Sequence, residues 1–165
     1  IDQVEAMQQI VADFSQIAKP LETRRQNLQL NPLLRQIAEL YREHHPELDL
    51  AEPQRPVHAD PVHIRQILIN LMKNAIEATQ NEANPRIRWR SHEEGGNIIL
   101  DIEDNGPGFA DLTKDPFEPY VTNKPKGTGL GLAIVSGILA AHRGNASLSK
   151  TKGGGLTVRI ELPTT

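Results

Sequence analysis

The chain has 165 residues, of which 24% are charged and 38% hydrophobic, and its formal net charge is −3. This length and balance are ordinary for one folded domain, and the charge gives no reason to expect nucleic acid or an anionic membrane surface as partner. The absence of cysteine excludes disulfides and thiolate metal sites. No signal peptide or spanning apolar segment is visible. The chain begins at Ile1, within a pattern of apolar residues at helical spacing, so we expect a fragment of a longer protein.

Residues 1–19 carry apolar side chains at the three- and four-residue spacing of a helix that packs against another helix. Pro20 ends or kinks this pattern, and a polar run to Gln29 indicates a linker. The helix could equally pack on its own domain or join a dimer bundle. The apolar positions are Val4, Met7, Val11, Phe14, Ala18 and Leu21, widened by Ile1, Ile10 and Ile17.

The rest of the chain alternates between helix and strand patterns. Helices are predicted to begin after the capping residues Asn31 and Asp60, each followed by proline, and the second is expected to reach about Thr79. A third helix over 129–142 is expected to stop at Gly144, which suits the left-handed C′ position that commonly ends a helix. This order predicts an α+β fold, a two-layer sandwich with one sheet covered on one face. Strands are predicted at 28–30, 48–51, 57–59, 86–91, 97–103, 146–151 and 156–162.

Asn70 and Asn74 are four residues apart within the predicted helix, so they share one face. Asparagine is roughly 0.7 kcal/mol less favourable than alanine in a helix interior. An ordinary solvated face could accept this cost. Alternatively, the amide oxygens hold a hard cation such as Mg²⁺, which binds few protein oxygens together with substrate phosphates. Lys73 and Glu77 flank the same face.

Asp104 follows the predicted strand 97–103 and precedes a turn that contains Gly106 and Gly108, with Phe109 next. A carboxylate at a strand end could accept a hydrogen bond from an exocyclic amine such as adenine N6. An ordinary turn aspartate is the alternative, because Asn-Gly sequences favour turns.

A long loop over 104–127 precedes the third helix, and loops of more than about 12–15 residues are commonly functional lids. Lys124 and Lys126 supply cations there, although a solvated basic loop has the same composition. The glycines of Gly127–Leu132 alternate with other residues and lead into the helix. Free N–H groups at a helix start favour an anion, so the stretch predicts a phosphate cradle. Because Lys126 precedes the glycines, the stretch is not a P-loop. A dinucleotide-binding fingerprint has an acidic residue about 20 positions after the glycines, and residues 147–153 contain none, so the stretch is not one.

Taken in order, these motifs resemble the Bergerat ATP-binding fold of the GHKL superfamily over about residues 25–163. Asn70–Asn74 resemble its N box, Asp104–Gly108 its G1 box, Phe117 its F box and Gly127–Leu132 its G2 box. Hydrolytic members carry a glutamate as general base where this chain has Asn70, which cannot take a proton. The chain therefore resembles the sensor histidine kinases, and most of all nitrogen-regulation sensor kinases of the NtrY/NtrB type.

This resemblance implies the catalytic fragment of a protein-histidine kinase of a two-component signal transduction system. Residues 1–24 would be the end of the dimerisation and histidine-phosphotransfer helix with its linker, and residues 25–165 the ATP-binding domain. The implied partners are ATP, Mg²⁺, a histidine-containing dimerisation domain of the same protein, and a response regulator receiver domain. The parent would be a homodimer, with this domain in the cytoplasm. None of the six histidines has the context of a phosphoacceptor, so we expect ATP binding without autophosphorylation.

The resemblance also implies roles for single residues. Asn74 would hold Mg²⁺, Asn70 would reach the phosphates or the metal, and Lys124 would neutralise the β- and γ-phosphates, while Asp104 would contact adenine. The superfamily's threonine after the last hairpin glycine is Leu156 here, with Thr157 next. The other implied nucleotide-binding residues are Lys73, Gly106, Gly108, Phe109, Thr122, Lys126, Gly127, Thr128, Gly129, Leu130, Gly131, Leu132 and Thr157.

Two other functions remain open at this point. One is a GHKL serine protein kinase of the anti-sigma type, and the other is a non-catalytic module that senses nucleotide. The helical seam in residues 1–19 and the sensor-kinase resemblance of residues 1–78 favour the histidine kinase.

Overall fold

The structure is a computed structural model that describes residues 4–5, 7–8, 10–12, 15, 22–109, 113–122 and 129–165. The helices are α1 (Leu30–Leu40), α2 (Pro61–Thr79) and α3 (Gly131–Ala141), with a 3₁₀ turn at Arg42–His44. The strands are β1 (Gln26–Leu28), β2 (Glu47–Leu50), β3 (Val57–Ala59), β4 (Ile87–Glu94), β5 (Asn97–Asp104), β6 (Asn145–Lys150) and β7 (Leu156–Pro163). Within these ranges, no helix is long and apolar enough to cross a membrane.

Five strands form one sheet in the order β2-β4-β5-β7-β6, and β1 pairs with β3 in a separate ribbon. All neighbours in the large sheet are antiparallel except β2 and β4, which run parallel. Trp89, Leu100 and Ile160 belong to the core shared with the helices. Asp101 and Arg159 lie on the opposite face, where they form a bidentate ion pair at 2.7 and 2.8 Å. The architecture is the predicted two-layer α+β sandwich.

The predicted capping role of Asn31 is wrong. Helix α1 already begins at Leu30, with Gln29 in the capping position and no side-chain cap. Asn31 is buried, its Nδ2 donates to the Ala51 carbonyl at 2.9 Å, and its Oδ1 accepts from Ser91 Oγ at 2.9 Å. The side chain therefore joins α1 to the sheet edge. Because the helix starts early, β1 lies two residues before the strand predicted at 28–30.

The predicted start and end of α2 are confirmed. Asp60 has an extended backbone and its Oδ1 accepts from the Val62 N–H at 2.9 Å, while Pro61 occupies the first helical position. The Asp60 Oδ2 also accepts the Arg24 N–H at 2.7 Å. One carboxylate therefore caps α2 and holds the segment that enters the domain.

The end of α3 differs from the prediction. Arg143, not Gly144, adopts the left-handed conformation after the helix, with φ of 56°. Gly144 donates its N–H to Leu139 O at 2.8 Å, and a Cβ at position 144 would lie 2.6 Å from Glu161 O. The glycine is therefore suited to close packing against β7.

The described residues between positions 4 and 15 are helical. Val4, Met7 and Val11 are 61–66% exposed, so these side chains do not pack on the domain of their own chain. Phe14 and Ala18, which continue the predicted apolar seam, lie outside the described residues.

Replacing Asp60 by alanine should lower the free energy of unfolding by about 1–2 kcal/mol at pH 7, because α2 loses its cap. Burial alone would raise the pKa of Asp60. The N–H groups of Arg24 and Val62, with His63 nearby, outweigh that effect and hold the pKa below its ordinary value of 3.8. The stabilisation is present above pH 3.8 and is lost as the pH falls through the lower folded-state pKa.

Urea unfolding of Asp60→Ala and the parent chain from pH 7 to pH 3 measures this difference. The exposed Asp49 supplies the control, since Asp49→Ala should change the unfolding free energy by less than about 0.5 kcal/mol at every pH. A parent-to-Asp60→Ala difference that persists undiminished at the lowest pH would contradict the assignment.

Candidate functional site

Asn70 and Asn74 lie half-buried on one face of α2. The Nδ2 of Asn70 is buried and has no hydrogen-bond partner within the described part of the chain. Leaving such a donor unpaired costs about 1–3 kcal/mol, so this amide suits an acceptor that arrives with a ligand. A Cβ at position 131 would lie 3.8 Å from Nδ2 and 4.0 Å from Oδ1 of Asn74. The first residue of α3 is therefore next to Asn74.

The start of α3 has the properties of an anion site. Leu130 occupies the capping position, is buried, and provides no side-chain cap. The N–H groups of the first turn of a helix have no partner within the helix, and the helix dipole is positive at this end. Because this end faces Asn74, a phosphate bound there would contact the helix start and the N-box face together.

Tyr120 of the long loop contacts Gly129, which lies just before the start of α3. The Tyr120 N–H donates to the Gly129 carbonyl at 2.9 Å. Gly129 has φ of 68°, and a Cβ there would lie 2.5 Å from the Tyr120 carbonyl carbon. Any larger residue would push the two ends apart, so Gly129 closes the base of the loop.

Asp104 lies at the end of β5 and is 7% exposed. Its Oδ1 accepts from the Gly106 N–H at 2.9 Å and from the Leu156 N–H at 3.4 Å. A Cβ at position 155 would lie 1.9 Å from the Asp104 carbonyl oxygen, so the β6–β7 turn passes directly against this aspartate. These contacts hold the carboxylate in one orientation at the end of the central strand, on the helix-covered face of the sheet.

Gly106 and Gly108 bring backbone segments of the protein together. A Cβ at position 106 would lie 2.5 Å from Ala78 O, and one at position 108 would lie 3.2 Å from Gly155 O. The resemblance implies a nucleotide-binding role for both glycines. In the structure their small size lets the turn after β5 pack against α2 and against the β6–β7 turn. They therefore fix the position of Asp104 relative to α2.

Thr157 is not brought to the site. In the pairing of β5 with β7 it is directly opposite Glu103, and paired residues point to the same face. Asp104, one residue further, points to the other face. Thr157 Oγ1 instead forms a 2.9 Å hydrogen bond with Thr151 Oγ1. The neighbour Leu156 contacts Asp104 through its backbone N–H.

Of the other expected site residues, four lie in the described part of the chain and four do not. Lys73 is exposed on α2, Leu132 is half-buried in the first turn of α3, Phe109 is half-buried beyond the Asp104 turn, and Thr122 is exposed in the loop. The remaining four, Lys124, Lys126, Gly127 and Thr128, lie outside the described residues.

A polar junction at the opposite end of α2 and α3 was missed from the sequence. The His142 Nε2 accepts the Asp60 N–H at 3.1 Å, and His142 Nδ1 lies 2.7 Å from the Ile138 carbonyl. Burial lowers the pKa of His142, as do the nearby Arg25 and His63, and together they outweigh the Ile138 and Asp60 contacts. His142 was visible only as a histidine after a helix. No sequence spacing connects it with Asp60, 82 residues earlier.

The donor set fits a hard cation held jointly by protein and substrate. Among the described residues there is no cluster of three or more histidine, cysteine, aspartate or glutamate side chains that could hold a metal by themselves. Asn74 offers an amide oxygen next to the helix start where phosphate would bind. Mg²⁺ typically takes one or two protein oxygens and completes its shell with phosphate oxygens and water.

Comparison with known proteins agrees with this geometry. Residues 59–165 match a family described as histidine kinase-, DNA gyrase B- and HSP90-like ATPases. The nitrogen regulation protein NtrY of Azorhizobium caulinodans is 35% identical over 174 residues, which cover 98% of this chain and 22% of NtrY. The chain thus spans about a fifth of the length of that relative.

Two solved structures extend the similarity. Full-length ShkA in complex with AMPPNP is 29% identical with a TM-score of 0.79, over 99% of this chain and 36% of ShkA. Histidine kinase ThkA in complex with response regulator protein TrrA is 26% identical with a TM-score of 0.81, over 99% of this chain and 49% of that chain. This chain therefore belongs to the histidine kinase-, DNA gyrase B- and HSP90-like ATPase family, in the branch of the sensor histidine kinases.

Proposed function

We propose that this chain binds Mg-ATP and presents the γ-phosphate to a histidine on a separate dimerisation domain of the same protein. The observation that carries the proposal is the approach of the α3 start to Asn74, with Asp104 held near the C-terminal end of α2, where its turn packs against Ala78. One end of this arrangement suits phosphate and metal, and the other suits the amine of a base. The complex of ShkA with AMPPNP, an ATP analogue, supports the same ligand class.

In this proposal, the Asp104 carboxylate accepts the adenine amine. The Gly106 and Leu156 N–H groups, which both donate to its Oδ1, keep the carboxylate oriented for that contact. Asn74 contributes an oxygen to Mg²⁺, which neutralises phosphate charge when bound, and the Asn70 Nδ2 donates to a phosphate oxygen. Lys124 would approach the terminal phosphates from the loop.

Position 70 determines the proposed acceptor of the phosphoryl group. An amide cannot remove a proton from water, so the N-box face lacks at this position the base that hydrolysis would need. A histidine nucleophile can attack without such a base at position 70 because its neutral ring nitrogen carries a lone pair. The description of the similar ThkA as a histidine kinase also favours histidine over serine as acceptor.

The proposed assembly follows from the helix at the N-terminus. We assign residues 1–24 to the end of a dimerisation helix and its linker, and residues 25–165 to the catalytic domain. The exposed Val4, Met7 and Val11 would pack in the helical bundle of a homodimer. A response regulator receiver domain would take the phosphoryl group onward, as the ThkA–TrrA complex suggests. Use of ATP and of such a regulator would place the domain in the cytoplasm.

Asp104→Asn should weaken Mg-ATP binding by about 100-fold, because a charge-assisted hydrogen bond to the base is lost. Calorimetric titration measures this. Glu103→Gln is the matched control, since this neighbouring carboxylate is on the other face of the sheet beside Arg90. Equal effects of the two substitutions would show that Asp104 has no special contact with the base.

Asn74→Ala should remove the gain in ATP affinity that Mg²⁺ provides. Dissociation constants measured with Mg²⁺ and with EDTA should then agree within about twofold for the variant, because the metal has lost its protein oxygen. They should remain well separated for the parent chain. A variant that keeps the parent's full magnesium dependence would refute the assignment of Asn74 as ligand.

Incubation of this chain with γ-labelled ATP should leave no acid-labile, base-stable phosphate on it. None of its six histidines has the sequence context of a phosphoacceptor. Label should appear on histidine when the dimerisation domain of the longer protein is added. Stable phosphohistidine on this chain alone, or transfer to serine in the added domain, would contradict the proposed reaction.

A further inference from the structure

The ends of α2 and α3 remote from the nucleotide site are joined by a set of polar groups that we call the distal junction: Arg24, Arg25, Asp60, His63 and His142. The Asp60 N–H donates to His142 Nε2 at 3.1 Å, while the Asp60 Oδ2 accepts the Arg24 N–H at 2.7 Å. The Arg25 guanidinium donates to the Ala141 carbonyl, the last residue of α3. The junction therefore connects the start of α2, the end of α3 and the segment that enters the domain.

The hydrogen bonds define the state of the His142 ring. Nδ1 faces the Ile138 carbonyl at 2.7 Å, and a carbonyl only accepts, so Nδ1 carries the proton. Nε2 faces the Asp60 N–H, which only donates, so Nε2 must be unprotonated. His142 is buried, with 4% of the residue exposed, so its ring has little access to water as an alternative partner. Only the neutral tautomer with hydrogen on Nδ1 satisfies both contacts.

We propose that His142 is a positioning residue for the nucleotide site, because its neutral ring sets the register of α3 along α2 and thereby holds Gly131 against Asn74. This inference rests on the proposed function of that site. His142 lies at the other end of the helix pair, remote from the proposed ligand.

The geometry of the two helices supports this role. The two helices run antiparallel. Asp60 at the start of α2 contacts His142 just after the end of α3, and Asn74 in the second half of α2 is next to Gly131 at the start of α3. α3 has 11 residues and is roughly 16 Å long, so an axial shift at His142 is carried to Gly131. The apolar residues between the ends, such as Val135 and Leu71, pack without directional bonds. The directional bond from Asp60 to His142 is suited to select one register.

Protonation of His142 should release this register. A proton on Nε2 turns the acceptor into a donor that faces the Asp60 N–H. The charged or titratable groups around the ring are Asp60, His63, whose ring centroid is 5.7 Å away, and Arg25. Burial, with Arg25 and His63, holds the pKa of His142 below its ordinary value of 6.5. The bond is therefore intact at neutral pH and is lost as the pH falls through the lowered pKa.

Calorimetric titration of the chain with Mg-ATP at pH 7.5, 6.0 and 5.0 tests the role with two variants of His142. His142→Leu removes the acceptor and should weaken binding about fivefold at pH 7.5, with little further loss in acid. His142→Gln can present an amide oxygen to the Asp60 N–H at every pH. It should bind within about twofold of the parent at pH 7.5 and lose less affinity than the parent on acidification.

Exposed His58 supplies the matched control, because His58→Gln should reproduce the parent's affinity and its pH profile. The ionisation of ATP affects all variants alike, so only differences between variants count. Circular dichroism at each pH confirms that the titrated protein is folded. A merely structural role would lower the stability of His142→Leu but leave its affinity and pH profile unchanged.

The outcomes separate the two proposals. No Mg-ATP binding by the parent chain at pH 7.5 would overturn the proposed function and this inference with it. Binding by the parent, together with unchanged affinity and pH profile in His142→Leu, would overturn the role of His142 alone. The role is also overturned if His142→Gln loses affinity in acid as steeply as the parent.

Discussion

The antiparallel packing of α2 against α3 is the constraint on which the site depends. In the proposed site, neither helix is sufficient for binding phosphate and metal, since α2 would supply the asparagine amides and α3 the N–H groups of its first turn. The proposed site lies where Gly131 meets Asn74, since a Cβ at position 131 would be in van der Waals contact with the Asn74 amide nitrogen, at 3.8 Å. In this proposal, phosphate binding is therefore a property of the pair of helices.

A second set of close backbone contacts places the carboxylate. The turn after β5 packs against Ala78 of α2 and against Gly155 of the β6–β7 turn, and both contacts require glycine. Asp104 is thereby related rigidly to α2, and through α2 to Asn74. In the proposed site, the distance between the Asp104 carboxylate and the start of α3 must match one ligand. The glycines contribute to that match by bringing protein segments together as well as by leaving space for a ligand.

Local chemistry explains which sequence predictions succeeded. Asp60 was predicted as a cap from its place before a proline, and the structure confirms it because the carboxylate bonds with an N–H two residues away. Asn31 has the same local context, yet it bonds with Ala51 and Ser91 and leaves the capping position to Gln29. The partners that decide its role lie 20 and 60 residues away. The same reason places Arg143 in the left-handed conformation expected of Gly144, which instead packs against Glu161.

The amino-acid sequence was enough to predict the α+β class, the extent of α2 and the residues of the proposed site, because periodicity, capping and motif spacing are short-range properties. The sequence also shows that position 70 is an asparagine, whose amide cannot act as a base. Tertiary structure alone decided that Thr157 points away from Asp104, that Gly131 lies at Asn74, and that His142 bonds with Asp60. These facts depend on strand register and on helix packing, which arise from contacts between residues far apart in the chain.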